Sequence, residues 1–381
     1  MRFLTAGESH GQALVGILEG LPAGLAVSPA DIDRDLERRQ MGYGRGGRMQ
    51  IERDHVDILS GVRFGETLGS PVALMVKNRD WEHWQERMSV TGPPAGPAVT
   101  KPRPGHADLA GALKYDRRDA RDILERASAR ETTMRVALGA IARKLLDAFG
   151  ITVLSHVVAL GGVIAEGTDL TPEMGGMIDA SPVRTADPRA ERLMMEAIDR
   201  ARERGDTLGG VFEVAAFGLP VGLGSHVHYD RRLDGRLGQA MLSIPAMKGV
   251  EVGDAFWASG EAGSGVHDAI DFEAGKGFHR PTNRAGGLEG GMTNGEVLTV
   301  RVAMKPLSTL KSPLPSADLA TGERVEAQVE RSDVTAVPAA GVIGEAMAAL
   351  VLADALLDKF GHDALSDVKG AYEAYLGRLP R

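Results

Sequence analysis

Residues 338–360, PAAGVIGEAMAALVLADALLDKF, constrain the fold most, because the segment is apolar nearly all round. A helix without a polar face cannot lie on a surface, so the segment reads as a buried helix. Residues 13–20, 72–77 (VALMVK), 151–163, 210–217 (GVFEVAAF) and 297–304 (VLTVRVAM) read as strands, being rich in Val and Leu and bounded by Gly or Pro. Helices are predicted at 188–204, at 232–243 and over 107–148, the last with a break inside. Ser28 and Pro29 read as an N-cap and first-turn proline opening SPADIDRDLERRQM. Strands and helices do not alternate regularly, which argues against a doubly wound parallel sheet. The expected class is α+β, with helices packed against antiparallel sheets.

A length of 381 residues would by itself suggest two or three domains. The one Pro/Gly stretch, GPPAGPAVTKPRP at 92–104, is too short for a domain linker, so a single domain over 1–381 is expected. GLPAGL at 20–25 and GLPVGL at 218–223 each follow a strand-like run, which leaves an internal duplication open.

The formal charge is −8, whereas a broad nucleic-acid surface calls for net basicity or a basic face. Aromatic residues are scarce at 4%, which weighs against a single-strand stacking platform. With no cysteine, disulfides, thiolate metal sites and a cysteine nucleophile are excluded. No apolar run is read as membrane-spanning and MRFLTAGESH lacks a secretory core, so a cytoplasmic protein is expected.

Positive charge is instead local. The stretch 103–135 carries His106 behind Pro102-Arg103-Pro104-Gly105, then Arg117, Arg118, Arg121, Arg126, Arg130 and Arg135. Arg126 and Arg130 are four apart and would share a helical face, among the small residues Ala127, Ser128, Ala129, Thr132 and Thr133. Arginine beside small residues suits a bulky anion carrying phosphate or carboxylate.

Two familiar patterns read as decoys. Gly7-Glu8-Ser9-His10-Gly11 matches the hydrolase nucleophile elbow, but only six residues precede it and only His362 follows the acid candidate Asp333. A serine esterase is therefore a poor alternative. Gly42-Tyr43-Gly44-Arg45-Gly46-Gly47 matches a dinucleotide fingerprint but follows a charged helix instead of a strand. With Arg38, Arg39, Arg45 and Arg48 around it, it reads as a flexible basic flap over an anionic ligand. His10 and His106, each beside glycine in a turn, are candidate acids or bases. His226 and His228 have no third ligand nearby and read as surface residues, so no protein-bound metal is predicted. The glycine loop 286–295 and Lys305-Pro306-Leu307-Ser308-Thr309 flank a strand and form a candidate phosphate cradle. Glu330-Arg331-Ser332-Asp333 precedes the apolar helix and offers a carboxylate in basic surroundings.

Seven islands stand in order: GESHG at 7–11, GRGGRM at 44–49, RPGHADL at 103–109, LERASARET at 124–132, IPAMKGVE at 244–251, the glycine loop through KPLST at 286–309, and ERSD at 330–333. Together they closely resemble the chorismate synthase family across nearly the whole chain. The resemblance implies a β-α-β sandwich, helices between antiparallel sheets, assembled as a homotetramer. It implies a 1,4-anti elimination of phosphate from 5-enolpyruvylshikimate-3-phosphate, giving chorismate, with reduced FMN required and no net redox change. By motif match, His10 would protonate departing phosphate, His106 would protonate or stabilise reduced flavin, and Asp333 would act with flavin N5 on the ring proton. Substrate anions would fall to Ser9, Arg39, Arg45, Arg48, Ser128, Arg130 and Arg331, with Arg39 and Arg45 open to contact with a nicotinamide nucleotide instead. FMN would lie against Arg126, Ala127, Ser128, Pro245, Ala246, Gly290 and Arg331, with Lys305, Pro306, Leu307, Ser308 and Thr309 around its phosphate or ring edge. No extra segment offers a dinucleotide site, so a monofunctional enzyme is expected, served by a separate flavin reductase, with NADPH only an indirect reductant. A non-catalytic anion- or nucleotide-binding protein remains the third reading, and it gives His10, His106 and Asp333 no role.

Overall fold

The computed structural model describes residues 1–46, 53–167, 169–330 and 332–380. Two antiparallel sheets enclose a layer of helices. The first sheet holds β1 (Arg2–Ala6), β2 (Ala13–Glu19), β3 (Val56–Ser60) and β4 (Val72–Lys77) in the order β1-β2-β4-β3. The second holds β5 (Thr152–Leu160), β6 (Val163–Ile164), β7 (Gly210–Phe217), β8 (Met247–Val252) and β9 (Leu298–Met304) in the order β8-β9-β7-β5-β6. Between them lie α1 (Pro29–Gln40), α3 (Thr132–Asp147) and α5 (Val337–Phe360). The short α2 (Arg121–Ala127) precedes α3, and α4 (Leu233–Leu242) packs beside α5 and β8. The non-alternating pattern predicted helices against antiparallel sheets and the resemblance implied a β-α-β sandwich; both describe the α+β fold observed.

Alternation explains which face each strand buries. Leu14 and Leu18 of β2 and Val72, Leu74 and Val76 of β4 point to the helices, as do Leu298, Val300, Val302 and Met304 of β9. Helix α5 is buried over most of its circumference, which its sequence requires. By length and composition it would also suffice to cross a membrane, contrary to the sequence reading, but 89% of its apolar window lies buried inside the protein. Glycine sets how closely the layers approach. A Cβ on Gly139 of α3 would stand 2.4 Å from Ala346 Cβ of α5, and one on Gly344 would stand 2.5 Å from the Phe212 ring of β7. Some of the 49 glycines of the chain are thus a packing requirement.

Ser28 caps α1 as expected, in a capping box with Asp31. The segment predicted as one interrupted helix over 107–148 is a helix at Asp108–Lys114, α2, a 3-10 turn at Ala129–Glu131 and α3. Ser128, with ψ 144, is the extended residue that separates α2 from the turn. Arg126 and Arg130 therefore do not share a helical face: Arg126 is exposed and Arg130 is buried. Strands β1, β3 and β8 and the C-terminal helix Leu365–Gly377 were not anticipated. β1 is short and at a sheet edge, β8 carries Lys, Gly and Glu, and the C-terminal helix buries only Val368.

The Gly-Leu-Pro echo has a structural counterpart. Thr67 Oγ1 donates to the Pro22 carbonyl at 2.6 Å and accepts from Leu25 N–H at 2.9 Å. Thr293 Oγ1 does the same to Pro220 and Leu223, at 2.6 and 2.8 Å. Gly24 and Gly222 then turn with φ of 89° and 82°, the left-handed region that glycine enters without a Cβ clash. The first frame follows β2 and the second follows β7. With the two-residue β6 and the helices Gly175–Ala180 and Pro188–Glu203 between β5 and β7 set aside, the second sheet repeats the neighbour order of the first, β5-β7-β9-β8 against β1-β2-β4-β3.

At the centre of the helix layer sits Glu345 of α5, with no exposed surface. Its carboxylate accepts from Arg38 Nη1 and Nη2 at 2.8 and 3.0 Å, Arg143 Nη1 at 2.9 Å, Arg184 Nη2 at 3.1 Å and Ser155 Oγ at 2.7 Å. Asp35 and Asp179 supply further negative charge: Asp35 pairs with Arg38 and Arg143, Asp179 with Arg38 and Arg184. Burial alone would raise the Glu345 pKa, but the guanidiniums of Arg38, Arg143 and Arg184 bring it from 4.5 to about 2. The folded-state value is depressed, so the unfolded chain binds the proton more readily. The stabilisation is fully present above pH 4.5 and is lost as pH falls towards about 2. Glu345→Gln leaves the buried guanidiniums of Arg38 and Arg184 and the half-buried one of Arg143 short of a counter-charge and is expected to cost about 3–5 kcal/mol at neutral pH. Urea denaturation of both proteins across that acid range should show the difference shrinking as pH drops.

Candidate active site

The loop 7–12 joins β1 to β2 and carries Ser9 and His10. It links two antiparallel strands and is not followed by a helix, so the nucleophile-elbow reading of GESHG has no support in the backbone. Ser9 is buried, its amide donating to the Glu125 carbonyl at 3.0 Å, and Ser128 Oγ lies 3.3 Å from Ser9 Oγ. His10 Nδ1 is 3.0 Å from both carboxylate oxygens of Glu125, near the end of α2, and the His10 amide donates to Oε2 at 2.9 Å. Arg121, one turn earlier, donates to Glu125 Oε1 at 2.8 Å. Trp84 stacks on the imidazole, ring centroids 3.9 Å apart. Burial would raise the Glu125 pKa, yet the hydrogen bonds and charge from His10 and the charge of Arg121 leave it lowered.

A second group repeats this arrangement. His106 Nδ1 lies 2.5 Å from Oδ1 of Asp108, which has no exposed surface. Asp108 also accepts from Arg103 N at 3.0 Å, Nε at 2.8 Å and Nη2 at 3.1 Å. Arg103 Nη2 is 3.0 Å from His106 Nδ1, but a guanidinium only donates. The Nδ1 proton therefore belongs to the His106–Asp108 bond. Burial would raise the Asp108 pKa; its bonds to His106 and Arg103 and their charges hold it far below the usual carboxylate range. Arg103 Nη1 then reaches Thr309 Oγ1 at 2.9 Å, and Ser308 Oγ donates to the Gly105 carbonyl at 2.8 Å. Lys305 Nζ donates to Ser308 Oγ at 2.8 Å and its amide to the Ala246 carbonyl at 3.0 Å. Ala246 adopts φ 72°, a strained value for alanine, to present that carbonyl. RPGH, KPLST and Pro245-Ala246 are thus one constellation. The Leu307 carbonyl accepts from Thr207 Oγ1 at 2.7 Å, and Leu208 N–H donates to Val334 O at 2.8 Å, which ties this group to the segment bearing Asp333.

Asp333 is held by the glycine flap. Its Oδ1 accepts from Gly46 N–H at 2.6 Å and its Oδ2 pairs with Arg45 Nη1 at 2.7 Å. Arg39, at the end of α1, donates to the Ala129 carbonyl and Thr132 Oγ1, next to Ser128. Arg48 and Arg331 lie outside the described residues. Gly290 caps a hairpin against His226, and no described contact joins it to the Lys305 group.

Much of the arginine-rich stretch is engaged within the fold. Arg103, Arg121, Arg130 and Arg135 each pair with a carboxylate: Asp108, Glu125, Asp54 and Glu131. Asn78 Oδ1 also accepts from Arg130, and Arg126 braces the carbonyls of Thr5 and Gly7. Lys305 differs. Neither it nor exposed Lys248 makes an ion pair among the described residues, and burial first, then the Lys248 charge, lower the Lys305 pKa. Lys305 thus places a cation without an ion pair among the described residues against Ser308 Oγ, a donor set suited to a phosphate. Glu125, Asp108, Trp84 and Lys248 were missed by sequence reasoning. Glu125 and Arg121 at i, i+4 and the HAD triplet were the available signals.

The chain matches the model of the chorismate synthase family over residues 1–357. It is 58% identical to a chorismate synthase of Moorella thermoacetica, with all of both chains covered. To that of Aquifex aeolicus it is 53% identical, over the whole of this chain and 98% of the other. A crystal structure of chorismate synthase superposes with a TM-score of 0.78 at 43% identity, covering all of this chain and 98% of that one.

Asp108→Asn would deprive buried Arg103 of its counter-charge and is expected to cost about 3–5 kcal/mol in urea denaturation. An unchanged midpoint would mean that Arg103 draws its compensation from elsewhere.

Proposed function

The chain belongs to the chorismate synthase family, and from that premise we propose that it converts 5-enolpyruvylshikimate-3-phosphate to chorismate. The reaction is a 1,4-anti elimination: a ring C–H bond and the C–O bond to phosphate break, a double bond forms, and no net redox change occurs. The observation that carries this reading is a pair of imidazoles, His10 and His106, each with Nδ1 on a buried carboxylate. Such imidazoles are oriented for proton transfer at the other nitrogen. His10, beside Ser9 and Ser128, donates a proton to the departing phosphate. Asp333 accepts the ring proton once the flap contact with Arg45 and Gly46 adjusts to substrate. Ser9, Arg39, Arg45, Arg48, Ser128, Arg130 and Arg331 bind or frame the substrate anions, Arg39 and Arg45 also being candidates for a nicotinamide nucleotide.

The residues present fit FMN. Lys305 and Lys248 offer positive charge without an ion pair among the described residues, while Ser308 and Thr309 add hydroxyls at the same strand end. Lys305 to Thr309, Pro245, Ala246 and the segment Arg126-Ala127-Ser128 would hold the cofactor, with Gly290 and Arg331 as further contacts. Bound there, reduced FMN would supply transient electron density for the loss of phosphate. His106, held through Nδ1 on Asp108, would protonate or stabilise the reduced flavin. In this reading the enzyme is monofunctional, served by a separate flavin reductase, homotetrameric and cytoplasmic. It is one domain built from two duplicated halves, which the paired Thr67 and Thr293 frames support.

Anaerobic incubation with 5-enolpyruvylshikimate-3-phosphate and chemically reduced FMN is expected to release chorismate and phosphate in equal amounts. Oxidised FMN alone should release neither. Folded, flavin-binding protein that turns nothing over would favour the non-catalytic binding reading. His10→Ala and His106→Ala should each lower turnover by roughly 10²–10⁴-fold. Lys305→Met should weaken FMN binding, read by fluorescence titration, by on the order of 10-fold as one charge-assisted contact is lost.

A further inference from the structure

Loop 7–12 contains no helix or strand, yet it places His10 beside Ser9. One side chain holds it there. Glu125 is 3% exposed, and its carboxylate faces three donors: His10 Nδ1 at 3.0 Å, the His10 amide at 2.9 Å and Arg121 Nη1 at 2.8 Å. Its own carbonyl takes the Ser9 amide at 3.0 Å. Trp84 closes the other side, stacked on the imidazole at 27° between planes, and Arg121 lies 5.1 Å from the Trp84 ring centroid. An ionised carboxylate has no proton to give, so the hydrogen between it and Nδ1 must sit on the imidazole.

We propose that Glu125 is the positioning residue of His10: it fixes the neutral ring as the Nδ1–H tautomer, so that proton exchange with the substrate falls to Nε2. The proposal rests on the role given to His10 above. Arg121 and Trp84 complete the device, one orienting the carboxylate and the other fixing the plane of the ring. Asp108 and Arg103 stand in the same relation to His106.

Glutamine is the informative replacement. It keeps the shape of Glu125 but offers one acceptor oxygen and one NH₂ where three donors converge. With its oxygen towards Arg121, the NH₂ meets Nδ1 and imposes the Nε2–H tautomer. With its oxygen towards the His10 amide, the NH₂ opposes Arg121.

The test combines long-range ¹H–¹⁵N spectra of ¹⁵N-histidine-labelled, ligand-free protein with steady-state kinetics. The His10 signals are identified by their loss in H10N. Wild-type protein, at a pH where the ring is neutral, should show Nδ1–H. E125Q should show Nε2–H, with kcat down on the order of 10²-fold and KM within about 3-fold, the pattern for an interaction used mainly in the transition state. E125D keeps both acceptor oxygens and should retain Nδ1–H and a larger share of kcat. Wild-type His10 as Nε2–H overturns the proposal. So does E125Q with unchanged kcat, or with KM and kcat altered while the tautomer stays the same. If E125Q does not fold, E125D that has lost the Nδ1–H form overturns it equally. The spectra need no turnover, so failure of wild-type protein to make chorismate would refute the assigned reaction while leaving the tautomer result intact.

Discussion

Everything near the site is hung from the Glu345 cluster. Three arginines and three carboxylates converge there from α1, α3, α5 and the residues around Asp179 and Arg184. Isolated, the buried charges of Glu345, Asp35, Arg38 and Arg184 would be very costly; with Asp179 and Arg143 the six cancel. Dispersion between apolar helices would tolerate small rotations and slides. A carboxylate that must meet three forked donors tolerates few, so the cluster fixes α1, α3 and α5 against one another. The effect reaches the site in a single residue. Arg38 enters the cluster, and Arg39 beside it, on the next part of the turn, bonds Ala129 and Thr132. The end of α1, from which the glycine flap departs, is placed by a contact in the middle of the protein.

The two halves contribute differently. The first sheet brings the loop of His10, and α2 brings Glu125 and Arg121. The second sheet brings Ala246 and Lys305 from the adjoining ends of β8 and β9. His106 comes from the long connection between β4 and α2, and Asp333 from the approach to α5. The layers are regular, while the chemistry sits on the irregular segments between them, where backbone can turn sharply enough to aim a side chain.

Much of this was legible in the chain, for reasons that differ by element. Strands 72–77 and 210–217 were read to the residue because each is a run of apolar residues bounded by breakers. Ser28 declared the start of α1 through its capping chemistry. The apolar α5 read as a buried helix and is one. His10, His106, Asp333 and Lys305 were singled out by position beside glycine or at an element's end. The pairing of the arginines was legible only in part: Glu125 and Glu131 stand one turn from Arg121 and Arg135, and Asp108 lies five residues from Arg103, whereas Asp54 is 76 residues from Arg130 and, in the central cluster, Glu345 is 307 from Arg38. Periodicity reports what a residue's neighbours along one element are, and carries no information about a carboxylate that arrives from another layer. The same blindness hid Trp84, which meets His10 only after folding.

The two imidazole assemblies differ in how much chain each must close. Arg103, His106 and Asp108 lie within one short turn, so their bonds can form before anything distant is in place. His10 and Glu125 are 115 residues apart and meet only when α2 has docked on the loop between β1 and β2. Closing the longer span costs more entropy and requires the first sheet to exist. A local opening that lifts α2 would therefore disarm one histidine and spare the other, so the molecule can be half-armed without being unfolded.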